Sequence, residues 1–243
     1  MIKQNNDDPF YLIRQKEFDE VIKSYSEKFN NKSDAPSLAN RGTAYLNIGD
    51  FDNALNDYKK AEEIRNKEMP DRTDAYLRRV GLTLWLKGEK NAAANLWCNL
   101  ARDLDAKKIV FSDSAGVLSG TLLWYASFTK EINQFRELAE KYLNNRIKLS
   151  SIKHWPGPVA QYLLGRIFEE GLIKAAHSNS EILTHRQLCQ AYFYIGVKAL
   201  SNSDLENFQK NIAKSVTYGE TSLLEIEYYL AKNEMDRLES DIK

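Results

Sequence analysis

The stretch Leu38 to Ala61, LANRGTAYLNIGDFDNALNDYKKA, constrains the fold more than any other part of the chain. Leu38, Gly42, Tyr45, Gly49, Phe51, Ala54, Tyr58 and Ala61 fall at the spacings of two amphipathic helices joined by a tight turn. The small residues stand where two helices must approach closely, and the aromatics fill the gap between them. Such a pattern encodes packing rather than chemistry. From Asp74 to Asp105 it returns: Leu77, Gly81, Leu84, Gly88, Ala93 and Trp97 keep the spacings, with Gly81 lying 39 residues after Gly42.

A helical hairpin that recurs in register resembles the tetratricopeptide repeat (TPR), a unit of about 34 residues. The resemblance implies an all-α fold, a TPR-like right-handed solenoid of antiparallel helix pairs closed by a C-terminal capping helix. Such an array grows by stacking, so 243 residues read as one domain over 1–243. Its parts are a shortened leading repeat over 8–30, clear repeats over 36–67 and 74–105, a degenerate repeat over 112–149, C-terminal repeats over 155–218 and a capping helix over 220–240. The leading repeat rests on Phe18, Val21 and Tyr25, which precede Phe51, Ala54 and Tyr58 by 33 residues.

Local signals set the expected boundaries. Asp8 before Pro9 is a helix start, and Asn30 to Pro36 is a loop, as is the region of Pro70. Ser112 or Ser114 is expected to cap a helix through about Phe128, with Ile132 to Leu149 as its partner. The prolines and glycine of Trp155 to Gly165, WPGPVAQYLLG, restart the chain, and a short helix over Leu172 to Ala176 follows. Ser178 and Glu181 have capping-box spacing for a helix reaching about Leu200. Asp204 to Val216 is its partner. Ser222 to about Arg237 is an amphipathic closing helix whose Leu223, Ile226, Tyr229 and Leu230 are expected to cover the open end of the stack.

Trp155, the YLLG at Tyr162 to Gly165, the AYFYIG at Ala191 to Gly196, Asp204, Leu205 and the segment around Glu225 carry a more specific likeness. Over its last third the chain resembles the bacterial TPR lipoproteins of the NlpI type. That resemblance implies an adaptor that brings enzymes together without chemistry of its own. The first ten residues, MIKQNNDDPF, lack both a lipobox and the apolar core of a signal peptide, which predicts a cytoplasmic protein.

Charge and composition narrow the partners. Lys plus Arg and Asp plus Glu are 34 each, so no net field draws the chain to nucleic acid or an anionic membrane. No apolar run is long enough to span a bilayer. Cys98 and Cys189 are expected as buried thiols. His177, Glu181, His185 and Cys189 recur every four residues, but a four-residue step drifts around a 3.6-residue helix, and they are read as structural rather than as a zinc site. His154, with Lys148 and Lys153, is read as solvated charge beside an anchoring Trp155. Neither a phosphate loop nor a catalytic triad signature occurs. The sequence therefore assigns no catalytic residue, metal or cofactor, and identifies no small-molecule substrate.

The partner expected is another protein, either a toxin domain or a client enzyme. In TPR arrays the first helix of each pair lines the concave groove, which here places Asn40, Thr43, Asn47, Arg78, Leu82 and Trp85 on the groove as partner-binding candidates. Ala39, Thr43 and Leu82 stand where a clamp for a chaperone tail would need polar or basic groups. The reading is a non-catalytic protein-binding module, either an immunity protein that neutralises a toxin or a general adaptor. A metal-dependent hydrolase centred on His185 and a nucleic-acid-binding regulator are the alternatives from other classes.

Overall fold

The computed structural model describes residues 13, 15–28, 33–68, 73–128 and 132–241. The expected helix start at Asp8 and Pro9, the loop at Asn30 and the loop at Pro70 lie outside them. Among the described residues the fold is all-helical, and the only β feature is an isolated bridge between Thr73 and Val110. The helices are α1 (Phe18–Lys28), α2 (Ala35–Asn47), α3 (Phe51–Glu68), α4 (Ala75–Leu86), α5 (Lys90–Asp105), α6 (Leu118–Ala126), α7 (Arg136–Arg146), α8 (Gly157–Leu163), α9 (Glu169–Ala175), α10 (Glu181–Ser201), α11 (Leu205–Gly219) and α12 (Ile226–Asp241). From α1 to α7 each helix packs on the next, and α10 packs on α11.

Capping chemistry explains where most helices begin and end. Asp34 accepts from the Ser37 N–H at 2.8 Å, so α2 starts one residue before Pro36 and the proline falls in the first turn, where its missing N–H costs nothing. Asp50 and Asp204 accept from the backbone N–H groups of Asn53 and Asn207 in the same way. At the C-termini of α2 and α4, Gly49 (φ 82°) and Gly88 (φ 92°) close Schellman turns, with Asp50 N–H donating to Tyr45 O and Glu89 N–H to Leu84 O.

The recurring unit is a glycine on the first helix of a pair pressed against a large side chain on the second. A Cβ on Gly42 would lie 3.1 Å from the Tyr58 ring, on Gly81 2.3 Å from the Trp97 indole nitrogen, on Gly120 2.4 Å from the Tyr142 ring and on Gly196 3.2 Å from Ile212. Gly120 follows Gly81 by 39 residues, the interval that separates Gly81 from Gly42. These contacts grade the cost of adding a methyl group. Gly81→Ala must displace a fully buried indole and is expected to destabilise by about 1–3 kcal/mol, whereas Gly42→Ala costs less because the Tyr58 ring need give only a few tenths of an ångström. Urea midpoints of the two variants, measured side by side, check the ranking.

Several boundaries differ from the sequence reading, among them the helix expected over Leu172 to Ala176, which starts at Glu169, and the one expected from Ile132, which starts at Arg136. The helix expected from Ser112 or Ser114 begins only at Leu118. Ser112 is instead held by Asp74, while Asp113 accepts from the N–H groups of Ala115, Gly116, Val117 and Leu118 and organises the approach to α6. Ser180, not Ser178, caps α10 by accepting from the Leu183 N–H. The closing helix starts at Ile226 and does not simply cover an end. It packs on α11, α10 and α4, and its hydrogen bonds reach α2 and α6 as well.

Candidate functional site

The first helices of the pairs, α2, α4, α6 and α10, converge on α12. Asn47 of α2 donates to the Tyr229 hydroxyl at 2.9 Å, and α4 packs on α12, its Arg79 donating at 2.9 Å to the carbonyl of Leu224 just before that helix. Tyr125 of α6 donates to Glu234 at 2.6 Å. From α10, Gln190 donates to one carboxyl oxygen of Glu227 at 3.1 Å, and Tyr194 O–H lies 3.2 Å from the other. Glu225 to Ala231 are buried without interruption.

The six groove candidates lie on α2 and α4. Leu82 and Trp85 are 0% and 2% exposed, Trp85 stacking on Trp97 with ring centroids 5.6 Å apart. Thr43 is buried against the Tyr58 hydroxyl at 3.0 Å. Asn40 donates to the Tyr25 hydroxyl and Asn47 to Tyr229. Arg78 pairs with Asp74 at 3.1 Å. The six sit on the expected helices: Thr43, Leu82 and Trp85 are buried, Arg78 is 9% exposed, and Asn40 and Asn47 are half-buried.

The remaining sequence candidates are also placed. Cys98 and Cys189 are free buried thiols. Burial pushes the Cys189 thiol well above its usual pKa, which makes it inert. His185 leans on Tyr218 with ring centroids 5.4 Å apart, and His177 lies outside α10. Among the described residues, no three His, Cys, Asp or Glu side chains are grouped as metal ligands would be. Lys148, Lys153 and His154 are exposed, and Trp155 is half-buried with its indole N–H donating to Gln190 at 2.6 Å. No helix among the described residues is long and apolar enough to cross a membrane.

What the sequence reading missed is a polar cleft of about 510 Å³. It opens where the starts of α4 and α12 meet α10, the 112–118 segment and the Trp155–Pro156 corner. Three guanidinium groups line it, those of Arg78, Arg79 and Arg186, together with Gln187, Gln190, Glu225 and Glu227. Glu225 holds Arg186 at 2.5 Å. The Glu227 carboxyl is raised to about 7, first by burial and then by the neighbouring Glu225 charge, with Gln190 and Arg78 pulling the other way. The only sequence signal for this cluster was the arginine pair on α4, since Glu225 and Glu227 read as ordinary charges on an amphipathic helix.

Compared with known proteins, the chain matches no protein-family model and no curated sequence.

Proposed function

We propose that the chain is a non-catalytic protein-binding module, built as a right-handed TPR-type solenoid whose inner face is occupied by its own C-terminal helix. The observation that supports this reading is the recurrent glycine contact at Gly42, Gly81, Gly120 and Gly196, which joins successive helix pairs by one packing rule and serves stacking rather than catalysis. With α12 on the inner face, the partner docks elsewhere. Phe168, at the start of α9, keeps 85% of its surface exposed, and Ile182, Leu183 and Leu205 of the same third of the chain are exposed as well. A large apolar side chain presented in this way is suited to anchor a protein contact. The partner proposed is a toxin domain, and the role that of a cytoplasmic immunity protein that occludes it by a rigid complementary surface.

The test is capture from the source lysate at near-physiological salt, followed by reconstitution with the purified candidate. One toxin-like polypeptide in equal stoichiometry supports the reading; a set of housekeeping enzymes would make the chain an adaptor instead. Phe168→Ser is expected to leave the urea midpoint unchanged and to weaken the reconstituted complex by about 2 kcal/mol or more, as loss of an anchor does.

A further inference from the structure

The cleft between α4, α10 and α12 has a one-sided balance of hydrogen-bonding groups. Every carboxylate in or beneath it is satisfied within the chain. Asp74 accepts from Ser112 and Ser119 and pairs with Arg78. Asp113 accepts from four backbone N–H groups. Glu225 holds Arg186, and Glu227 is held by Gln190 and Tyr194.

The donors are in surplus. Arg78, only 9% exposed, donates from Nη2 to Ser112 at 2.6 Å and lies 3.1 Å from Asp74 through an Nε that makes no hydrogen bond among the described residues. Arg186 commits Nε to Glu225, leaving both Nη groups. Among the described residues the Gln187 side chain makes no hydrogen bond, and the buried Nη1 of Arg79 has no hydrogen-bond partner. Arg78 and Arg186 stand on different walls, α4 and α10, and each is fixed from behind by a carboxylate, so both forks are pre-organised. The volume, about 510 Å³, is that of a small-molecule site.

We propose that this cleft binds a small organic ligand through one oxyanion group, carboxylate or phosphate, gripped between Arg78 and Arg186, with the ligand's body against Trp155 and Leu183. An acceptor-only group is what the unmatched N–H donors require, and a cation would find no uncommitted carboxylate. Phe168, the anchor proposed for the protein partner, does not line this cleft.

Calorimetric titration of the full chain with succinate, inorganic phosphate and phenyl phosphate tests this, read together with the indole N–H resonance of Trp155. At least one probe is expected to bind saturably with a dissociation constant of about 1 mM or below, and to shift the Trp155 resonance. Succinate alone would assign a carboxylate ligand, and the phosphates alone a phosphoryl one. Arg186→Lys keeps the charge beside Glu225 but removes both Nη donors, and is expected to weaken binding about tenfold. Gln187→Glu, which disturbs no ion pair, is expected to abolish it, while Phe168→Ser leaves it unchanged. Absence of saturable binding by all three probes, or binding that survives Gln187→Glu with the Trp155 resonance unmoved, overturns the proposal.

Discussion

Asp74→Ala is expected to destabilise the protein by about 3–5 kcal/mol, the range for breaking a buried ion pair by removing one partner. The carboxylate is fully buried and ties α4 to the segment that leads into α6. It accepts from Ser112 N–H at 3.0 Å, Ser112 O–H at 2.6 Å and Ser119 O–H at 2.7 Å, and pairs with Arg78 at 3.1 Å. Alanine strands a guanidinium that is itself buried and leaves two hydroxyls without their acceptor. Burial raises the Asp74 pKa, but the Arg78 charge and the serine hydrogen bonds outweigh it and hold the group below its ordinary 3.8. A group depressed on folding stabilises fully above the unfolded value and loses that contribution as pH falls through the folded one. Urea unfolding at pH 7 should therefore show the full loss for Asp74→Ala, and the gap to the parent should narrow as pH falls below the ordinary 3.8.

Glu227→Gln is expected to do the reverse and stabilise the protein at alkaline pH, by about 3 kcal/mol at pH 8.5 for a carboxyl that titrates near 7 folded and near 4.5 unfolded. The side chain is 1% exposed, so solvent offers little screening. A raised folded pKa means that the native state binds the proton more tightly than the unfolded chain. Stability from this group is complete below about pH 4.5 and drains away as pH rises through 7. Glutamine keeps the partners, since its carbonyl can accept from Gln190 and its amide can donate to the Tyr194 hydroxyl, which in turn donates to Thr121 at 2.8 Å. Parent and variant should have matching urea midpoints at pH 4.5 and diverge steadily up to pH 8.5. A constant difference across that range would mean that Glu227 stays ionised in the folded protein.

Both residues carry large effects because they join elements far apart in the chain, and such residues were the least legible in the sequence. The helix pairs from Leu38 to Ala61 and from Asp74 to Asp105 could be read residue by residue, because a glycine facing an aromatic sixteen positions on is a local rule. The third pair looked degenerate although Gly120 keeps the 39-residue interval. Its partner Tyr142 lies 22 residues on rather than 16, because a longer connection separates α6 from α7. Asp74 read as the start of a repeat, and only the folded chain places it against Ser112 and Ser119. The polar cleft was invisible for the same reason: Arg78, Arg186 and Glu227 belong to three helices whose sequence patterns give each of them a plausible solvated face.

The sequence by itself determined the helices and the close pairing of their neighbours, because a 3.6-residue period and short turns act over a few residues. Only the tertiary structure decided what the inner helices face. Asn47 and Tyr229 meet across 182 residues and Arg79 and Leu224 across 145, and nothing in the spacing of α2 or α4 reports that α12 will lie upon them. The amphipathic stripe of a helix specifies that a face is to be buried. Which element buries it is settled by the total apolar and hydrogen-bonding surface that the whole chain can remove from water at once.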